Sequence, residues 1–138
     1  MSKWDLRYIE MARLVSLWSK DPKKQVGAVI TDEQYVRGVG FNGFPRGIED
    51  SDVLLYDKTA KLQLIVHAEL NAILAARGAG DTIYIWPCLP CPQCMGAIIQ
   101  TGLSRVVSGL PAKNEVSKWS KDVVYDMASQ TGILLSFI

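Results

Sequence analysis

"PCLPCPQC", residues 87–94, holds all three cysteines of a 138-residue chain. It contains P-C-x-x-C twice, overlapping: once from Pro87 through Cys88 to Cys91, and once from Pro90 through Cys91 to Cys94. A helix begun at Cys88 would put Pro92 where a backbone N–H is needed for helical hydrogen bonding. A helix begun at Cys91 puts Pro92 at its first position, where the missing N–H costs nothing. Cys94 then lies on the same side of the first turn as Cys91. Both thiols sit at the positive end of the helix dipole, which favours thiolate. The spacing therefore predicts a helix over "PQCMGAIIQTG" (92–102), with Cys91 and Cys94 as a pair at its start and Gly102 at its end. Cys88 is left at the end of a strand, near the pair but outside it, as a small buried apolar residue.

Moving outward, "HAELNAILAARGAG" (67–80) has helix propensity, with Gly78 as its stop. "TIYIWP" (82–87) between the two helices is β-rich. "VGAVIT" (26–31) and "YVRGVGFN" (35–42) read as strands around a "DEQ" turn, and "SRVVSG" and "GILLSFI" as two more. Residues 3–19 read as a helix with Ser2 and Asp5 as a capping box and Met11, Leu14, Val15 and Trp18 on the buried face. "SKDPKKQ" (19–25) ends that helix. "GFPRGIEDSD" (43–52) and residues 111–120 read as loops, and 53–66 as partly helical. A last helix covers 120–129. The order α-β-β-α-β-α-β-α-β predicts an α/β sheet with helices on both faces, in one domain over residues 1–138.

Composition excludes several classes. With 49% hydrophobic residues and a net charge of +1, the chain reads as globular and lacks a strongly basic nucleic-acid surface. No apolar run approaches the roughly 20 residues that span a bilayer, and "MSKWDLRYIEMARL" lacks a signal-peptide core. A cytoplasmic location is expected, where clustered cysteines serve as metal ligands or a redox pair rather than a disulfide framework.

Two thiolates hold zinc only with further ligands, and the chain has one histidine, His67, in "VHAEL". It opens a predicted helix, with Glu69 two residues on. H-x-E followed by P-C-x-x-C matches the signature of zinc-dependent nucleobase deaminases, and the resemblance assigns His67, Cys91 and Cys94 to zinc. A structural zinc normally takes four protein ligands; three leave a position for solvent, whose pKa the metal brings towards neutrality. Glu69 then has the task of moving protons, against the simpler reading of a first-turn carboxylate on the helix dipole. Spacing alone does not bring it to the site, because i and i+2 point about 200° apart on a helix.

Nearly the whole chain resembles the deoxycytidylate (dCMP) deaminases. The matching pieces are "SKDPKKQVGAVI", "GVGFNGFPRG", "VHAELNAI", "PCPQCMGAIIQTG" and "YDMASQTGILLSF". The resemblance implies a three-layer α/β/α fold with a five-stranded mixed sheet and hydrolysis of dCMP to dUMP. It implies that Asn42 meets the bound nucleotide; Ala68 and Trp119 are further substrate candidates, Trp119 in the loop where many relatives carry a tyrosine near the base. Asn42 has a second reading as a turn residue, and Trp119 as core. It also implies a hexamer, activated by dCTP and inhibited by dTTP, each with Mg²⁺, at a second site involving Asn42, Gly43, Phe44, Asn71 and Arg77. A second, structural zinc seen in some members is not expected, because no cysteine precedes Cys88 and His67 stands alone. "CMGAII" is also similar to the adenosine deaminases of transfer RNA and the pyrimidine deaminases of riboflavin synthesis. A non-catalytic zinc module, with Cys88 as fourth ligand, is the reading from another class. Candidate cations for a phosphate are Lys20, Lys23, Lys24, Arg46, Arg77, Arg105 and Lys113.

Overall fold

The computed structural model describes residues 1–110 and 118–138, without the side chain of Trp119. Residues 111–117 of the expected loop, Lys113 among them, lie outside the described residues. Five strands form one sheet: β1 (Gly27–Asp32), β2 (Tyr35–Phe41), β3 (Thr82–Trp86), β4 (Arg105–Ser108) and β5 (Leu134–Phe137). Their order is β2-β1-β3-β4-β5. β2 and β3 run antiparallel to β1, while β4 is parallel to β3 and β5 to β4. The helices are α1 (Lys3–Ser16), α2 (Asp52–Tyr56), α3 (Lys58–Leu64), α4 (Ala68–Ala76), α5 (Pro92–Gln100) and α6 (Lys118–Thr131). The ambiguous stretch after residue 52 is thus two short helices, capped by the side chains of Ser51 and Asp57.

Strand side chains alternate between two apolar layers. Val29, Tyr84 and Val107 face α1. Ala28, Ile30, Ile83, Ile85 and Val106 face the other way, against α4, α5 and α6. The result is the expected three-layer α/β/α fold on a mixed five-stranded sheet.

α1 begins at the predicted capping box: Asp5 N–H donates to Ser2 Oγ (3.2 Å) and Ser2 N–H to Asp5 Oδ2 (2.8 Å). It ends three residues early, with Leu17 as its C-cap. Its buried face also differs from the expected one. Tyr8, Ile9, Ala12, Val15 and Ser16 point inward, whereas Leu14 is 58% and Trp18 52% exposed. The cause is contact distance. A Cβ on Gly27 of β1 would strike the Ala12 carbonyl and the Ser16 backbone. The helix turns its small residues to the strand, which carries Leu14 and Trp18 outward; the Trp18 ring lies edge-on to Phe41 at 5.9 Å.

A second seam of small residues fixes α4. Gly38 and Gly40 on β2 lie against Ala68, Ala72 and Ala76, spaced one turn apart along α4. A Cβ on Gly40 would collide with the Ala68 carbonyl and the Ala72 amide. Helix backbone and strand backbone therefore touch directly, and the start of α4 is held to the edge strand.

Asp5 has a larger role than capping. It is buried (2% exposed) and its carboxylate receives both Arg105 Nη1 (2.8 Å) and Nη2 (3.1 Å), together with Tyr84 Oη (3.0 Å). Arg105 also donates to Ser136 Oγ, so one carboxylate ties α1 to β3, β4 and β5. The Arg105 hydrogen bonds hold the Asp5 carboxyl far below the usual carboxylate range, against the opposing effect of burial. A depressed folded-state pKa stabilises the protein above the unfolded value and loses that stabilisation as pH falls through it. Stability should therefore drop as acid takes the pH below about 4. Asp5→Asn, which leaves Arg105 without its counter-charge, should lose about 3 kcal/mol at neutral pH and flatten that acid limb. Urea melts of both proteins from neutral to acid pH would measure this.

The seam makes a separate prediction. Gly40→Ala should cost about 1–3 kcal/mol and displace the first turn of α4, observable by thermal melting and by a fall in metal affinity.

Candidate active site

The crevice outside the carboxyl ends of parallel strands is where α/β sheets place their ligands. Here it lies beyond β3, where the chain passes through Cys88 into α5. Cys91 is the N-cap of α5 (φ −71°, ψ 165°), accepts the Cys94 N–H at 3.5 Å and is followed by Pro92 at the first helical position. This is the register expected from the overlapping motif. His67 is the N-cap of α4 (φ −69°, ψ 152°). Its Nδ1 lies 3.6 Å from Cys91 Sγ and 3.3 Å from Cys94 Sγ. All three donor atoms fall within 4.8 Å of one another. Tetrahedral zinc, with bonds of about 2.0 Å to nitrogen and 2.3 Å to sulfur, needs donors about 3.5–3.8 Å apart. The set fits that ion, and one imidazole with two thiolates leaves the fourth position to solvent. Cys88 is buried in the cleft wall but is not among the converging donors.

The electrostatics follow from proximity. A hydrogen bond from Cys94, assisted by His67, pulls the Cys91 thiol down to about 4 against the effect of burial. Cys94 is pushed up by its hydrogen bond to Cys91 and by burial. His67 is raised, chiefly by its hydrogen bond to Cys91. Glu69 is 4% exposed, and burial pushes its carboxyl up, while its own backbone amide and His67 pull it back. The i, i+2 divergence that left Glu69 open in the sequence disappears because His67 is an extended cap and not a helical residue.

His67, Glu69 and Cys91 line a cleft of about 350 Å³, within the size range of small-molecule sites. Ala68 and Asn42 also line it. Asn42 is not a turn residue: its Oδ1 accepts the Val26 N–H and its Nδ2 donates to the Lys24 carbonyl, both at 2.8 Å. Its own carbonyl accepts Ser19 Oγ at 2.9 Å. The carboxamide keeps a second N–H and a second lone pair.

The other expected residues are spread more widely. Gly43 forms an isolated bridge to Val66, one residue before His67. Asn71 Nδ2 donates to the Phe41 carbonyl at 2.8 Å. Arg77 is exposed in left-handed conformation (φ 52°) at the C-cap of α4, about 9 Å along the helix from Asn71. Asn71 thus lies beside the segment that carries Asn42, Gly43 and Phe44, and Arg77 stands further along α4. Trp119 stands on the first turn of α6, and its side chain is outside those described.

Of the candidate phosphate cations, Lys24 lines the cleft. Lys20 pairs with Asp50 on the surface (2.7 Å). Arg105 is bound to Asp5 at the amino end of β4, away from the crevice. The sequence reading missed Lys61 and Asp21, a buried ion pair at 3.0 Å in the cleft wall. The partners are 40 residues apart, and neither stands in a periodic pattern.

A three-donor centre beside a buried carboxyl places the chain among the zinc-binding deaminases. Residues 2–110 match the family described as the cytidine and deoxycytidylate deaminase zinc-binding region, and the chain belongs to it. It is 42% identical over 141 residues to the uncharacterized deaminase in the luxG 3′ region of Aliivibrio fischeri, covering 100% of this chain and 95% of that one. It is 36% identical over 115 residues to the human deoxycytidylate deaminase, covering 76% of this chain and 64% of the human protein. Its fold is similar to the crystal structure of dCMP deaminase from the cyanophage S-TIM5 in complex with dCMP and dUMP, with a TM-score of 0.76 and 21% identity over 100% of this chain and 99% of that one.

The donor geometry predicts that Cys91→Ser lowers zinc from about one per chain to near zero, while Cys88→Ser keeps it. Elemental analysis after dialysis against a weak chelator would check both.

Proposed function

We propose that the chain, as one zinc-dependent domain over residues 1–138, hydrolyses dCMP to dUMP and ammonia in the cytoplasm. The observation that carries this reading is the convergence of the His67, Cys91 and Cys94 donors beside buried Glu69, at the end of a cleft of nucleotide size. Deoxycytidylate is favoured because relatives at 36% identity are deoxycytidylate deaminases. Among the described residues no helix is long and apolar enough to cross a membrane.

In this reading His67, Cys91 and Cys94 hold zinc, which, when bound, lowers the pKa of water towards neutrality. Glu69 takes a proton from the attacking water and gives it to N3 of the cytosine ring. As the C4–O bond forms and the C4–N bond breaks, it carries a second proton to the departing ammonia. Its burial suits a carboxyl that must both accept and release protons near neutral pH. Ala68, first residue of α4, has a backbone N–H with no intrahelical partner and presents it to the base. Asn42 presents its remaining N–H to the sugar, and Trp119 stacks on the nucleotide. The three-donor cluster supports an open catalytic centre over a closed four-ligand module.

Regulation belongs to the same proposal. In a homo-oligomer of hexamer size, dCTP activates and dTTP inhibits, each with Mg²⁺, at a site drawing on Asn42, Gly43, Phe44, Asn71 and Arg77. No nucleic acid takes part in the reaction.

Ammonia release from dCMP, CMP, dCTP and cytidine, each with and without dCTP or dTTP plus Mg²⁺, tests the reading. dCMP should give the highest kcat/KM, and faster turnover of cytidine within RNA would overturn it. Glu69→Gln should keep its zinc and lose about 10²–10⁴-fold in kcat; full activity would remove the proton-transfer role.

A further inference from the structure

One wall of the cleft that His67 lines is built around a buried ammonium, that of Lys61. Lys61, on α3, has a side chain only 9% exposed, and that of its partner Asp21 is 5% exposed. Burying an ammonium is costly unless its donors are matched. Asp21 matches it incompletely. Its Oδ1 already accepts the N–H groups of Lys23 (2.8 Å) and Lys24 (3.2 Å) before Lys61 Nζ reaches it at 3.0 Å. An ammonium carries three N–H donors. Among the described residues Asp21 takes one, and Lys61 lines the cleft alongside apolar Leu62 and Ile65. Lys24 lines the same cleft and adds a second positive charge to it.

We propose that Lys61 is the anion anchor of the cleft, binding the phosphate of a nucleoside monophosphate whose base lies at the Glu69 end, with Asp21 holding the ammonium in position. The inference rests on reading the cleft as a nucleotide site and adds the residue that selects nucleotide over nucleoside. An anion entering here exchanges water for the idle N–H donors without separating the Lys61–Asp21 pair. Apolar walls beside the ammonium strengthen the attraction relative to an exposed lysine. The competing role for the pair is structural, pinning α3 to the segment that follows α1.

The test compares the zinc-loaded protein with its Lys61→Met variant on dCMP and on deoxycytidine. Losing one charge-assisted contact to phosphate should lower kcat/KM for dCMP about 10- to 100-fold, mainly through KM, and leave deoxycytidine within about twofold. Lys61→Arg, which keeps the charge, should recover much of the preference, and Lys61→Gln should behave as Lys61→Met. Equal losses on both substrates, or none on dCMP, would overturn the anchor in favour of the structural role. A second readout does not depend on the base. Inorganic phosphate, matched for ionic strength with chloride, should raise the melting temperature of the wild-type protein and not that of Lys61→Met or Lys61→Gln. No shift in the wild type, or the same shift in all three proteins, overturns the subsite. A phosphate shift lost with Lys61 in a protein that turns over neither substrate upholds the anchor and instead overturns the proposed reaction.

Discussion

Two helices point their amino-terminal ends at one place, and the chemistry of the cleft follows from that. α4 and α5 are capped by His67 and Cys91, both in extended conformation, so each projects its side chain back past its own helix start. The donors meet because the caps meet. Two positive dipole ends facing each other repel unless negative charge lies between them. Cys91, pulled towards thiolate, brings such charge to the junction. A divalent cation there is held by two thiolates, so the centre tolerates the metal without adding net charge to the helix ends.

Holding two helix ends in register to a few tenths of an ångström requires more than the caps. α5 is positioned by its connection from β3 and by Met95 and Ile98 in the core. α4 is positioned by contact of backbone on backbone, Gly38 and Gly40 against the Ala68–Ala72–Ala76 ridge. A helix packed through longer side chains could slide by a rotamer change. One packed through alanine on glycine has no such freedom, because interiors at this density do not deform continuously. The residues that place the metal donors most firmly are therefore ones that carry no chemistry.

What was legible in the sequence was local. The register of Cys91 and Cys94 followed from one proline and one helical turn, and the Ser2–Asp5 cap from a four-residue pattern; both stand in the fold as read. The roles of His67 and Glu69 came from resemblance, since no spacing rule joins a residue to a thiol 24 or 27 positions away. Helical periodicity found α1 but chose the wrong face, because hydrophobicity does not report where two backbones must approach. Asp5 was visible as a cap and hidden as the partner of Arg105, 100 residues on. Lys61 and Asp21 escaped for the same reason: an ion pair between a loop and a short helix has no period and no motif.

The cleft divides its labour between parts with different origins. Its metal end is made by the starts of α4 and α5. Its other wall comes from the segment after α1 and from α3, which the sheet does not dictate. The two are joined at one point. Asn42 grips Val26 and Lys24 with its side chain and Ser19 with its carbonyl, and Gly43 next to it bridges Val66, the residue before His67. Asn42 and Gly43 thus connect the outer wall to Val66, the neighbour of His67, by contacts on two adjacent residues.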